Sequence, residues 1–382
     1  IPADDPSITF ALQGLRFVDS AGNPVNISHQ IAGKASDVAP DAENLFVQAI
    51  KATDTAPESC NAAFSGSRLV SFAAECEAPA SCIASQTFSL QSGSNNLAVP
   101  KNSAVSGTPG SFAGINMVFD SDAKAPFSFS YNDAGRMRLH ARTEFDFADG
   151  STFTADTASN EFVVRPFAFG FPSITALVES TTVANPGGDE VSGAGFTSAG
   201  SDFTVEVNAY LYDSDDDTDA NGLPDAGSDV TDNWGVTPNF SGTAEISIDS
   251  FTPSGGVIGT LNGTTSVALV NTDSVADVSA SMEYTEVGSV SIKADHNNYL
   301  GVSGLNITSA PEKIGRFYPD YFALTETAVN ATCDPFTYME QSFDGVAFKL
   351  EAMSANNTIT ENYDAVLYPI DKAVPSISAE ND

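Results

Sequence analysis

Positive charge is scarce in this 382-residue chain: 15 Lys and Arg stand against 50 Asp and Glu, a net charge of −35. Nucleic-acid binding is excluded as a main function, because it draws on Lys and Arg to displace counterions from phosphate. Docking on anionic membranes is disfavoured for the same reason. Long apolar runs are also lacking. No stretch of about 18 apolar residues occurs, so no membrane span is expected. The chain has 3 His, 4 Cys and 1 Trp. No C-x-x-C and no Cys/His pairing at zinc spacing is present, which sets a zinc site aside. G-x-S-x-G, H-E-x-x-H and Gly-rich phosphate loops are missing too. The opening Ile1-Pro2 is neither an initiator sequence nor a signal peptide, so the chain reads as processed or cut.

What is present is apolar enough to fold. Hydrophobic residues make up 42% of the chain, so it is no disordered acidic tail. Its length predicts two or three domains. The acidic residues recur along the whole sequence, which reads as a solubilising, salt-adapted surface of an exported protein rather than a cation store. An exported protein oxidises some of its cysteines. Cys76 and Cys82 flank a Pro-containing turn and are the favoured pair. Cys60–Cys76 is the alternative, and Cys333 is free or paired outside the chain.

Short alternating runs such as NLFVQAIKATD, RMRLHARTEFDF, DFTVEVNAYLYD and SVSIKAD predict half-buried strands. Gly, Pro, Asn, Asp and Ser clusters separate them, and no helix-length amphipathic stretch intervenes. Phenylalanine, at 26 residues against 1 Trp, is the expected core filler. An internal repeat organises these strands. Tyr131 to Ala141 (YNDAGRMRLHA) and Tyr284 to Ala294 (YTEVGSVSIKA) share one pattern 153 positions apart. Phe46-x-x-x-Ile50-x-Ala52, Phe203-x-x-x-Val207-x-Ala209 and Val346-x-x-x-Leu350-x-Ala352 form a second repeated element. The acidic-x-Gly corner at Asp133–Gly135 and Glu286–Gly288 fits the turn before the sixth strand of an immunoglobulin-like sandwich.

The fold class expected is therefore all-β, with tandem immunoglobulin-like β-sandwich domains: a first at 1–165, a second at 166–314 carrying an acidic loop, and an incomplete third at 315–382. Arg165-Pro166 and Arg316 mark the joints, since Pro stops strand pairing. The third unit holds only early strands, among them the NYDAVLYPI stretch. Half a sandwich leaves an unpaired edge: the native chain continues, the segment packs on the second unit, or a neighbouring subunit donates the missing strands.

Catalysis finds little support. His140 is expected on the solvent face of its strand, His296 in a polar loop, and His29 has no nucleophile motif near it. Glu144 and Asp146 read as a solvated rim, with Asp149 close by, rather than as a glycosidase pair. One segment carries a specific signal: Asp217-x-Asp219-x-Asn221-Gly222-Leu223-x-Asp225 follows the first nine positions of a calcium loop. Asp217, Asp219, Asn221 and Asp225 would supply side-chain oxygens. Leu223 would give its carbonyl and turn its side chain inward. Ser228 stands where such loops carry a bidentate Glu, so Asp213, Asp215 or Asp229 would complete the shell.

The pieces FDSDAKAPFSFSYNDAGRMRLHARTEF, NEFVVRPFAF, YTEVGSVSIKADHNNYLG, IGRFYPDYFAL and CDPFTYMEQSF, in that order, resemble the MshQ family of MSHA-type pilus biogenesis proteins, with its large domain of unknown function. The resemblance covers most of the chain. It implies an extracellular protein on a Gram-negative cell surface, associated with a type IV pilus, whose partners are pilus subunits or other surface proteins. The family offers no catalytic residues to carry over. A non-enzymatic stalk or adhesin is the leading expectation. The alternative is a carbohydrate-binding module for host or environmental glycans, with Tyr210, Tyr212, Trp234 and Phe240 as candidate platform residues, although Trp234 and Phe240 are expected in the core.

Overall fold

The computed structural model describes residues 13–52, 60–105, 107–146, 150–188, 193–270, 278–333, 335–342 and 345–363. Apart from three one-turn 3-10 helices, every regular element among the described residues is a β-strand, so the protein is all-β as its alternation predicts.

Residues up to Arg165 form two sheets. One orders the strands Gln13–Val18, Leu45–Ala52, Lys124–Tyr131, Phe88–Ser92 and Asn95–Ala98, with Cys60–Ala62 beside Leu45–Ala52. The other orders Gln30–Ile31, Phe162–Arg165, Gly135–Asp146, Gly66–Ala78 and Lys101–Ser103. Thr152–Ala158 and Ala113–Phe119 flank this second sheet. Alternate residues of both sheets meet between them: Phe127, Phe129 and Tyr131 from one, Phe72, Met137 and Leu139 from the other. Phe88 stacks on Phe129 with ring centroids 5.3 Å apart. Burying each such ring stabilises by about 1.5–3 kcal/mol. Truncating Phe129 to Ala should cost about 3–5 kcal/mol, because the cavity adds to the lost transfer energy.

Among the described residues, no strand pairing joins those before Pro166 to those after it. A ten-stranded sheet follows and folds over its own core. Ala168–Val178, Thr181–Ala184, Asp202–Tyr210, Val278–Tyr284 and Leu261–Gly263 form one limb. Gly288–His296, Gly242–Thr252, Ser266–Leu269 and Glu312–Phe317 form the other, and Ile307–Ser309 links the two. A second core lies between the limbs, with Phe203, Val205 and Met282 facing Ile246, Val290 and Ile292. The last described strands, Tyr321–Val329 and Val346–Met353, pair only with each other, and Phe322 and Leu324 are exposed there. Most of the NYDAVLYPI stretch lies outside the described residues.

The acidic-x-Gly corner has the expected form in both copies. Gly135 has a φ of +145° and Gly288 of +106°. A Cβ on Gly135 would stand 2.9 Å from the Ala78 carbonyl oxygen, and one on Gly288 would meet that of Thr252. Only glycine meets both demands. Met137, Leu139, Val290 and Ile292 then enter the two cores. Cys76 and Cys82 form a disulfide, leaving Cys60 and Cys333 as free thiols.

Candidate functional site

The acidic segment folds as two 3-10 turns, Ser214–Asp216 and Val230–Asp232, around an irregular loop. Asp213 and Asp229 cap these turns, accepting the N–H of Asp215 and of Thr231. Asp217 is buried. Its oxygens accept the N–H of Asn221 at 2.8 Å and of Gly222 at 3.0 Å. Asp219 accepts both the N–H and the side-chain amide of Asn221, whose own Oδ1 takes the Leu223 N–H. Asp225 accepts the Thr218 N–H and hydroxyl, which hold its carboxyl below the usual range. The carboxylates thus face the loop's own donors. No three His, Cys, Asp or Glu side chains among the described residues are gathered as a metal ion requires. Leu223 departs from expectation: its side chain is 42% exposed and not packed inward.

The loop seats on the first unit. Arg165 is buried and donates to the carbonyls of Pro166 and Phe167 at 2.9 Å and of Gly222 at 2.6 Å. Burial pulls its pKa down to about 10, against the pull of Asp41 and Asp217, so it stays a cation at neutral pH. Lys34, which donates to the carbonyls of Val38 and Pro40, also feels Asp217. A Cβ on Gly222 would come 2.9 Å from Pro40. Two cations of the first unit therefore compensate the most buried aspartate of the loop. The clustering of Asp near 217, read from sequence as a demand for an external cation, is met in part from within the chain.

Further contacts tie the same two units. Ile31 joins Phe167, Ala168, Tyr210 and Val230 in an apolar cluster. Tyr212 N–H donates to Ala32 O at 2.9 Å. Arg136 donates to Leu300 O at 2.8 Å. Asp133 is fully buried at the corner; its Oδ1 accepts from Ala134 N and Asn239 N, both at 2.8 Å. Its Oδ2 is buried without a partner, as is the Tyr299 hydroxyl. Burial pushes the Asp133 pKa up to about 7, although the Asn239 and Ala134 amides and Lys101 pull the other way.

The histidines hold structure together. His140 is buried, not on the solvent face: its Nε2 lies 2.8 Å from Glu75 Oε2, and Glu75 Oε1 accepts the Val105 N–H. The segment after Lys101–Ser103 covers this outer face, a long-range return that alternation along one strand does not reveal. His29 Nδ1 accepts from Val163 N, and His296 Nδ1 bonds Thr243 O. Glu144 and Asp146 are exposed, as a solvated rim should be; Asp149 lies outside the described residues. A groove of about 520 Å³ opens where Gly66–Ala78 and Gly135–Asp146 part beyond the Ser71–Arg142 pair, with Arg68, Arg142, Glu144 and Asp146 on its walls. Arg68 pairs with Asp146 at 3.3 Å, and Arg142 lies 4.0 Å from the centre of the Phe112 ring. Both cations are engaged by the protein itself.

The aromatic platform does not assemble. Tyr210 and Phe240 are buried, and Tyr212 packs edge-on against Phe167. Trp234, expected in the core, is 87% exposed.

Residues 3–156 match the family model described as Domain of unknown function (DUF6701), first Ig-like domain. Residues 165–281 match DUF6701, second domain, and residues 286–382 match DUF6701, third domain. The third match begins at the Glu286 corner, ahead of a strand that pairs within the ten-stranded sheet. No curated protein matches the chain.

Proposed function

We propose that this DUF6701 protein, carrying the family's first, second and third domains in order, is a non-enzymatic stalk or adhesin on the outside of a Gram-negative cell, associated with a type IV pilus. The observation that carries the reading is the joint between the first two units. It is buried and hydrogen-bonded through Arg165, Asp133 and Arg136 rather than left as a free linker, as a load-transmitting protein requires. Independent domains sharing only a small polar contact would move against each other. The disulfide supports an oxidising, exported location, and the acidic surface supports solubility outside the cell. All three histidines serve packing or backbone contacts, which favours a structural role over general acid–base chemistry.

Antibody labelling of intact cells, together with deletion of the coding sequence, tests the proposal. Surface label and a loss of pili or of adhesion are expected. Label confined to the cytoplasm, with piliation and adhesion unchanged, would remove it. A second reading, glycan binding, is favoured by one observation, the exposure of Trp234 beside the acidic loop.

A further inference from the structure

The joint between the first and second units recurs, contact by contact, between the second unit and the third. On the preceding side, Tyr131 O accepts the Gly33 N–H, and Tyr284 O accepts the Gly200 N–H. The alanine before each glycine then offers its carbonyl across the joint. Ala32 O accepts from Tyr212 N at 2.9 Å, and Ala199 O accepts from Ala355 N at 2.8 Å. Tyr212 and Ala355 each lie three residues past the next-to-last strand residue, the alanine of the repeated element, Ala209 or Ala352.

Those alanines also anchor the other half of the contact. Thr237 donates its N–H and hydroxyl to Ala209 O, and Thr360 donates both to Ala352 O. Two residues beyond each threonine stands an asparagine whose backbone N–H enters the preceding unit's acidic corner. Asn239 N donates to Asp133 Oδ1 at 2.8 Å, and Asn362 N donates to Glu286 Oε1 at 3.2 Å. The same acidic oxygens accept from the next residue of their own corner, Ala134 or Val287. The asparagine side chains reach the neighbouring loop of the preceding unit. Asn239 Nδ2 donates to Ser81 O at 3.4 Å; Asn362 exchanges hydrogen bonds with both backbone groups of Val257.

We infer that the segments Thr237–Phe240 and Thr360–Tyr363 are sockets for the acidic corner of a preceding unit of the same kind, and that this one repeated coupling fixes successive units at a set angle. The inference rests on the stalk reading for its use, but its geometry stands apart from it. Asp133 accepts two N–H groups, one of them from the next unit, and Glu286 accepts three, two of them from the next unit, so each buried carboxylate resists separation. Opening the joint strands a charge and several donors at once.

The two free thiols allow a direct test. Cys60 lies in the first unit and Cys333 beyond the second joint, so spin labels on the native cysteines span both sockets. The intact chain should give one narrow inter-label distance distribution. Asp133→Ala and Glu286→Ala should each broaden it, the behaviour of units free about a short linker, with the near-ultraviolet circular dichroism of the cores retained. If either alanine variant unfolds, Asp133→Leu and Glu286→Met decide: they keep the bulk and remove the accepting oxygens, and the same broadening is expected. A broad distribution in the intact chain, or variants as narrow as it, would overturn the inference. Cell-surface labelling is a separate readout, so failure of the stalk reading leaves this result standing.

Discussion

Asp133 Oδ1 accepts the backbone N–H of Asn239, 106 positions further along the sequence, while no N–H of the second unit reaches Asp133 Oδ2. The corresponding carboxylate, Glu286, has no such orphan. Its Oε2 accepts the N–H of Glu361, the residue before Asn362, at 2.9 Å. The residue before Asn239 is Pro238, which has no N–H to give. The two joints differ in this proline and in the length of the acidic side chain, Asp133 against Glu286.

Acidification should strengthen the first joint. Burial raises the folded-state pKa of Asp133 to about 7, from 3.8. Between these values the folded chain binds more protons than the unfolded one, so stability falls as pH rises through that window and is recovered as pH falls. Glu286 is also raised, chiefly by burial, and acts in the same direction. Urea midpoints measured from pH 7.5 down to 5 should increase, and Asp133→Asn should flatten the slope. A midpoint that falls steadily over this range would contradict the assignment.

Arg165 should matter more than an ordinary surface arginine. It is 8% exposed and satisfies three carbonyl groups, one of them in the acidic loop. Removing it leaves those acceptors and Asp217 poorly compensated. Arg165→Ala should cost about 3–5 kcal/mol, the range for breaking a buried charged network. Thermal melting of the variant against the parent checks this, and the same measurement tests the calcium expectation. A melting temperature that rises with added calcium, and no longer does so in Asp219→Ala, would assign the loop a cation in addition to its arginine clasp. Equal values in calcium and chelator would leave the clasp as its whole account.

Much of this was legible in the sequence, and the gaps have a common cause. Strand alternation and the repeated Tyr-x-acidic-x-Gly pattern place Met137, Leu139, Val290 and Ile292 correctly, because each depends only on its neighbours along one strand. The seven-residue Cys76–Cys82 loop is equally local. His140 and Trp234 were misplaced because their exposure depends on what returns over them from afar. Val105 and Glu75 cover the first, and the turn at Val230–Asp232 carries the second outward. The joints were the least visible part. The donors to the acidic corners are backbone N–H groups, whose identity no side chain announces, and each corner reads as a turn until its partner unit is in place.

Trp234 offers a clean optical test of glycan binding, since it is the chain's single tryptophan and is 87% exposed. A sugar stacking on its face would change the fluorescence intensity and shift the maximum to shorter wavelength, and Trp234→Ala would abolish binding on a glycan array. If array binding occurs with unchanged fluorescence, the glycan sits elsewhere. If no glycan binds at all, the second functional reading is gone.

The sharpest prediction concerns Pro238. Replacing it with Glu, the residue found at the matching position of the second joint, restores the N–H whose counterpart there donates to Glu286 Oε2, and the repeated geometry aims it at Asp133 Oδ2. A hydrogen bond to a charged acceptor contributes about 1.5–3 kcal/mol. Against this, losing a proline frees the unfolded chain and costs about 0.4–1 kcal/mol. The gain exceeds the loss, so Pro238→Glu should stabilise the protein by about 1 kcal/mol at neutral pH, where replacing a proline is ordinarily destabilising. Pro238→Ala separates the backbone from the side chain, since it restores the N–H without adding a carboxylate. The new donor also favours the ionised form of Asp133 and lowers its pKa, so both variants should show a shallower rise in urea midpoint between pH 7.5 and 5. The reciprocal change, Glu361→Pro, removes the donor from Glu286 Oε2 and should destabilise the second joint while leaving the first untouched. If both Pro238 variants lose stability and keep the parent's pH slope, the missing N–H is not what sets Asp133 apart from Glu286.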